Sequence, residues 1–407
     1  MISVKKVLFV ILDGYSEGVF GESALSAANK SRIDFVARKS FAGLIENKLG
    51  NHPDSGISTF VLLGYDKDDY PGRGYLDALG AGLEPAPNDV CIRANFANVE
   101  ETKERRAEGR EFEMGFVVRD RRAGRNYEGL FDLSKAIASI NLEGIRFAFK
   151  KSVGHRGVLV LHGTDISQNV SDSDPGKEGL EVTKIMPYSK DSAAEHTAAT
   201  LNKWEHETHL LLKDNVANKF RKPPINFILL RGASSPKELK SFKDMYGLKA
   251  TCVAASPAVK GLCKAIGMET PTISGATADL KSDVAEKARA AVNALDKNDF
   301  VLLHILSPDV AAHDRSPVKK RMAIEKIDSE VFKRIVEYVD FSKTVLVVAS
   351  DHPTSAKSGE HMAGIMPFLI FTNGIESTGA AKLSEDACKV GPIIDIDDFM
   401  EKVMSYR

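Results

Sequence analysis

The chain is poor in the features that mark specialised protein classes. It has four cysteines in 407 residues (Cys91, Cys252, Cys263 and Cys388), scattered without the paired spacing of a metal–thiolate site. They read as reduced thiols rather than a disulfide framework, which sets the expectation of a cytoplasmic protein. No apolar run approaches the roughly 18 residues that a membrane-spanning helix needs, and the opening stretch lacks a secretion-signal pattern. No membrane partner is expected. Charge of one sign is missing too: 55 Lys and Arg against 56 Asp and Glu leave a formal net charge of −1. That balance gives no global field for nucleic acid and argues against that partner. Neither an internal repeat nor a low-complexity tract occurs. Apolar content of 43% and charged content of 27% are those of an ordinary globular protein, long enough for two or three domains.

What is present is a set of apolar runs that end in metal-ligand chemistry. The run from Thr344 to Ala349 predicts a buried parallel strand that delivers Asp351 and His352 at its carboxyl end. Lys6 to Leu12 ends in Asp13-Gly14, and Phe300 to Leu306 is followed by Ser307-Pro308-Asp309, with His313 beyond. His361 follows the Asp351-His352 pair. Open α/β sheets bind ligands at the carboxyl ends of their strands. Singly, these residues are turn formers or satisfied histidines. Gathered by one sheet, Asp13, Asp309, His313, Asp351, His352 and His361 supply two divalent ions about 4 Å apart, as used for phosphoryl displacement.

A turn-rich cluster from Gly50 to Gly56 leads into a helical pattern closed by Gly64. Ser55 then sits at or just before a helix N-terminus, where exposed amides and the helix dipole favour an alkoxide or a phosphate. Alone it would be read as a cap; beside metals its alkoxide could attack phosphorus. The densest basic cluster, Arg119-Asp120-Arg121-Arg122-Ala123-Gly124-Arg125, suits bidentate grip of phosphate or carboxylate. His196, His206 and His209 lie on a polar helix predicted over 191–212 and read as a solvated face. Another helix is expected over 23–39. From Glu84 the segments become shorter and more polar. This predicts an inserted α+β domain at 84–240 within an α/β core made of 1–83 and 241–407.

With these residues assembled, the chain resembles the cofactor-independent phosphoglycerate mutases of the archaeal type, within the alkaline phosphatase superfamily. The resemblance rests on LDG at 12–14, the Ser55 region running into LLGYD at 62–66, and GRGYLDALGAG at 72–82. It continues through RDRRAGR at 119–125, HRGVLVLHG at 155–163, DSDPGK at 172–177 and LLRGA at 229–233. SPDVAAHD at 307–314, ASDHPT at 349–354 and His361 complete it.

The resemblance implies an alkaline-phosphatase-like core, with a mostly parallel sheet sandwiched by helices, and a smaller inserted substrate domain. It implies two divalent metal ions, Mn²⁺ first and Mg²⁺, Co²⁺ or Zn²⁺ as alternatives. Asp13, Ser55, Asp351 and His352 would hold one, and Asp309, His313 and His361 the other. Ser55 would be the phosphorylated nucleophile, with Lys260 beside the transferring phosphate. Arg119, Asp120, Arg122, Arg125, Arg156 and Arg231 would grip the glycerate and its phosphate. The implied activity is an isomerase of glycolysis and gluconeogenesis acting on phosphoglycerate; a homo-oligomer is compatible with it. The nearest alternative is a phosphatase or phosphodiesterase on the same core. The chain departs from the family pattern at Gly56, at Tyr15-Ser16-Glu17-Gly18 and at Gly176, all in loops expected near substrate.

Overall fold

Apolar runs with no polar interruption can be buried only in a sheet covered on both faces. The computed structural model describes residues 5–50, 53–104, 113–142 and 144–407. It divides the chain into two units, Met1–Tyr70 with Leu239–Arg407, and Pro71–Glu238. Strands β1 (Lys6–Leu12) and β2 (Phe41–Asn47) open the first unit. The second unit holds β3 (Val90–Glu104), β4 (Glu113–Asp120), β5 (Arg146–Lys151), β6 (Arg156–His162) and β7 (Phe227–Ser234). The first unit then resumes with β8 (Ala250–Val253), β9 (Phe300–Ile305), β10 (Thr344–Ala349), β11 (Gly364–Phe371) and β12 (Ile393–Asp395).

The first unit is an α/β layer structure. Its sheet has the order β12-β2-β11-β10-β1-β9-β8, parallel throughout except for β11, which runs antiparallel to both neighbours. Alternation along β1 sends Leu8, Val10 and Leu12 into a core with Ile33, Ala288, Ile327 and Val331. Phe9 points to the other face and packs on Phe300 and Phe399, with ring centroids 6.2 and 6.0 Å away. The helix expected over 23–39 is two short ones, Ala24–Ala27 and Ser31–Ala37. Ala28 takes an extended backbone between them, and Lys30 turns inward to bond Asp34 at 2.6 Å.

The second unit is α+β, built on an antiparallel sheet in which the long β3 pairs with β4, β6 and β7. Residues 71–83 pack here rather than with the first unit, which moves the boundary from 84 to 71. The helix Arg73–Gly80 lies on β3, β6 and β7, so close at Gly74 that a Cβ would strike the Cys91 carbonyl. The helix Ser192–Lys213 packs on β7 and buries Trp204 against Phe147 and Phe149. Its histidines are not one solvated face. His206 is exposed, but His209 is fully buried, with Nδ1 2.7 Å from the Asn226 carbonyl and Nε2 3.1 Å from Glu101. No helix among the described residues is long and apolar enough to cross a membrane.

Candidate active site

β10, β1 and β9 lie side by side in parallel and end at one edge of the sheet. After β1, Gly14 turns with φ +61°, and a Cβ there would meet Asp309 and Thr354 atoms at 2.8 Å. Only glycine fits both that backbone and that gap, which is how Asp13 and Asp309 come to crowd together. β9 runs into the helix Ser307–His313, whose i, i+4 spacing places His313 Nε2 3.3 Å from Asp309 Oδ2. β10 hands over Asp351 and His352, and the reversed β11 starts at that same edge, just after His361. Ser55 opens the helix Ser55–Leu62, capped by Asp54, which accepts from Gly56 N at 2.7 Å.

These elements converge. His352 Nε2 lies 3.2 Å from Ser55 Oγ, 3.4 Å from Asp13 Oδ1 and 3.6 Å from Asp351 Oδ2. His361 Nε2 lies 3.2 Å from Asp309 Oδ1 and 3.0 Å from His313 Nε2. Among the described residues, three groups have donor atoms within 4.8 Å of one another: Asp309–His313–His361, Asp13–Asp309–His352 and Asp13–His304–Asp351.

Bonds on the far side of each ring decide which nitrogen faces the site. His313 Nδ1 is 2.7 Å from the Gly359 carbonyl, and His361 Nδ1 is 2.7 Å from the Pro53 carbonyl. A carbonyl only accepts, so both Nδ1 atoms carry hydrogen. Thr354 Oγ1 donates to Asp309 Oδ1 at 3.0 Å, leaving only its lone pairs for His352 Nδ1, also at 3.0 Å. Each neutral ring therefore presents a bare Nε2 inward, the orientation of a metal-binding histidine.

The site is unbalanced without a cation. Two bare Nε2 atoms 3.0 Å apart can be held only around a proton or a metal ion. Burial works against a charge on His361, yet the hydrogen bond and charge of Asp309 outweigh it and raise its pKa. Burial also opposes charge on Asp309, but His313 and His361 hold it well below the carboxylate range. Burial first, then the charges of Asp351 and Asp309, push Asp13 well up. Asp351 Oδ2 and both ring nitrogens of His304 are buried without a hydrogen-bond partner. Each such atom costs about 1–3 kcal/mol. Carboxylates with inward imidazoles and unsatisfied oxygens fit divalent metal ions.

Lys320 braces this edge from the helix Pro317–Lys326. It is fully buried, and Nζ donates to the carbonyls of Ser16 (3.1 Å) and Thr354 (2.7 Å), tying the loop after β1 to the loop after β10. Burial lowers its pKa to about 8. Lys260 is half-buried on the helix Pro257–Ala265, which packs against the helix of Ser55.

The second unit carries the opposite charge. Arg93 and Arg73 share Asp77, at 2.8 and 3.3 Å. Arg121 grips Asp174 through two N–H groups, at 2.8 and 2.6 Å, and Arg231 Nε stands 3.8 Å from the same carboxylate. The charge of Arg93, then burial, depress the Arg231 pKa to about 9, and Arg156 and Arg121 add to the effect. Burial and the charges of Arg156, Arg122, Arg231 and Arg121 push His155 down to about 3. Arg73, Arg93, Arg121 and Arg231 thus gather on Asp77 and Asp174, with Arg122 and Arg156 close enough to act on His155, and such a group of guanidiniums suits an anion. Arg119 instead pairs with the exposed Glu100 at 2.6 Å. Asp120 caps a turn, accepting from Arg122 N at 2.7 Å and Gly124 N at 2.9 Å, and Arg125 is exposed on that turn.

Sequence reasoning passed over His304, Thr354, Lys320, Arg93 and Asp174. His304 had a signal, a lone imidazole in a wholly apolar strand. Asp174 and Thr354 lay within the DSDPGK and ASDHPT runs without being singled out, and Lys320 and Arg93 had no signal, because only the folded loops and strand register bring them in.

Residues 37–218 match a family model described as 2,3-bisphosphoglycerate-independent phosphoglycerate mutase. A protein of that name from Methanopyrus kandleri is 38% identical over 380 residues, which is 90% of this chain and 88% of the relative. A solved structure from Pyrococcus horikoshii aligns over 99% of this chain and 98% of its own, with TM-score 0.79 and 24% identity. The cofactor-independent phosphoglycerate mutase from Thermoplasma acidophilum aligns over 99% and 100%, with TM-score 0.63 and 29% identity.

Proposed function

The chain belongs to the 2,3-bisphosphoglycerate-independent phosphoglycerate mutase family, and we propose that it interconverts 3-phosphoglycerate and 2-phosphoglycerate through a phosphoserine at Ser55. The observation that carries this reading is the place of Ser55: first residue of a helix, with Oγ 3.2 Å from the inward Nε2 of His352 and beside Asp13. Two divalent ions, Mn²⁺ foremost, would when bound lower the pKa of the serine hydroxyl and offset charge on the phosphoryl group. Asp13, Ser55, Asp351 and His352 would hold one and Asp309, His313 and His361 the other.

The chain's own part is positioning and charge. Ser55 Oγ attacks phosphorus, and its proton ends on the glycerate oxygen that leaves. The helix N-terminus stabilises the phosphate so formed. Lys260 is assigned to the same group. Arg156 and Arg231, with Arg93 and Arg121 preset by Asp77 and Asp174, hold the glycerate while its other hydroxyl comes into line. That hydroxyl then attacks phosphorus, the bond to Ser55 Oγ breaks, and the hydroxyl's proton ends on Ser55 Oγ.

The test is a coupled enolase assay with Mn²⁺ that counts inorganic phosphate in parallel. The proposal expects 2-phosphoglycerate in excess over phosphate; release of phosphate alone would make the chain a phosphatase. Trapping with substrate followed by mass spectrometry should place the phosphate on Ser55. Modification of Ser58 or Thr59 instead would refute the nucleophile.

A further inference from the structure

We propose that His304 is itself a metal ligand, acting with Asp13 and Asp351 on a divalent cation that has some affinity for nitrogen. The inference rests on the metal reading above but adds a residue outside the ligand set assigned there. His304 lies in β9, in register with Ile11 of β1, and is fully buried. Its Nε2 stands 3.3 Å from Asp13 Oδ2, and its ring completes a group with Asp13 and Asp351 whose donor atoms lie within 4.8 Å of one another. The backbone beneath it is pinned, because the buried Lys287 ammonium donates to the His304 carbonyl.

The bland alternative is a core histidine satisfied by Asp13. The geometry does not support it: neither ring nitrogen makes a hydrogen bond, and Asp351 Oδ2 is equally unpartnered. Every neighbour of His304 in β9 is a buried apolar residue. Leucine or valine there would bury without penalty, whereas an unpaired imidazole leaves donor and acceptor unmet. The unpaired nitrogen on β9 and the unpaired carboxylate oxygen just beyond β10 are both explained by one ion between them, beside Asp13 at the end of the intervening β1. An imidazole ligand favours Mn²⁺, Co²⁺ or Zn²⁺ over Mg²⁺.

The experiment is anomalous diffraction from the wild-type protein loaded with Mn²⁺, paired with Mn²⁺ titration of wild type, His304→Leu, His304→Gln and His304→Glu. An ion about 2.0–2.3 Å from a His304 nitrogen is expected. His304→Leu and His304→Gln should weaken one ion by about a hundredfold and leave the other unchanged, while His304→Glu keeps both. The Co²⁺ absorption spectrum should change in the Gln variant, because a nitrogen donor is lost. Ions found at the other groups with the His304 ring more than about 3 Å away overturn the inference and leave the metal reading standing. Variants with unchanged affinity and Co²⁺ spectrum do the same. No ion at any of the three groups overturns both.

Discussion

The two charged clusters of this molecule differ in how complete they are. In the first unit, buried carboxylates meet inward imidazoles, of which His313 and His361 are half-buried, with donor atoms facing one another and oxygens unmet. In the second, four guanidiniums already share Asp77 and Asp174, two to each carboxylate. A cluster that lacks its counter-charge should fail all at once. One whose charges are already shared should fail by degrees. Ser55→Ala probes the first case at its strongest. It removes the proposed nucleophile but leaves Asp13, Asp351 and His352, so turnover should drop more than about a thousandfold while ion content is kept. Turnover by the coupled assay and ion content by mass spectrometry check both halves. Retained turnover would remove Ser55 from the chemistry.

Arg231→Ala and Arg156→Ala test the second case. Each deletes one charge-assisted contact worth about 1.5–3 kcal/mol, or roughly ten- to a hundredfold in rate if fully felt in the transition state. Asp174 stays paired with Arg121 in the Arg231 variant, so the fold should survive. Phosphate release should fall less than mutase turnover, because a loosely held glycerate departs and leaves the phosphate on Ser55 to attack by water. Equal losses in both would mean these arginines serve the first step only.

A gentler probe of the incomplete cluster is pH. The folded pKa of His361 is raised. In metal-free protein it therefore contributes stability below its unfolded pKa of about 6.5, which is lost as pH rises through the folded value. Metal binding needs the neutral ring, so stabilisation by Mn²⁺ runs the other way. Affinity should grow about tenfold per pH unit for each proton displaced. The rise in melting temperature on adding Mn²⁺ should be larger at pH 8 than at pH 6, and a chelator should abolish activity at both. A pH-independent rise would contradict the proton–metal competition at His361.

The same contrast governed what could be read in advance. The convergence of the first cluster was legible because Asp13 and the Asp351-His352 pair come at or just past the ends of apolar runs, with Asp309 close behind another, and parallel neighbours end at one edge. Ser55 was legible from its turn-rich approach to a helix. His304 was hidden within a strand, where the apolar pattern reads as packing. The contacts among the arginines were hidden for another reason: they meet through antiparallel register, with Arg93 opposite Arg231 and Asn95 opposite Arg156. No local motif encodes which strand lies beside which. His209 shows a similar blindness, since polar residues in helical patterns read as solvated until burial finds them partners. At the domain boundary, Gly74 carried the clue, but its close approach to β3 has no sequence signature.

The smallest effect should come from the residue that looked most like a clamp in the sequence. Arg119 lies in the densest basic run, yet its side chain is 51% exposed and paired with Glu100, itself 59% exposed. A surface pair of this kind contributes about 0–1 kcal/mol, so Arg119→Ala should change turnover by less than about threefold and leave the ratio of 2-phosphoglycerate to phosphate alone. Arg231, by contrast, has its pKa depressed by neighbouring arginines and by burial, which marks a site where an anion is missed. The informative comparison is the salt dependence of the two variants. Raising ionic strength should erase the small Arg119→Ala effect, because exposed charges are screened within about 10 Å at 0.1 M. It should leave most of the Arg231→Ala loss, because partly buried pairs are screened less. If Arg119→Ala instead costs as much as Arg231→Ala, anion recognition extends over the exposed turn at 119–125, and the guanidinium group around Asp174 is not what holds the glycerate.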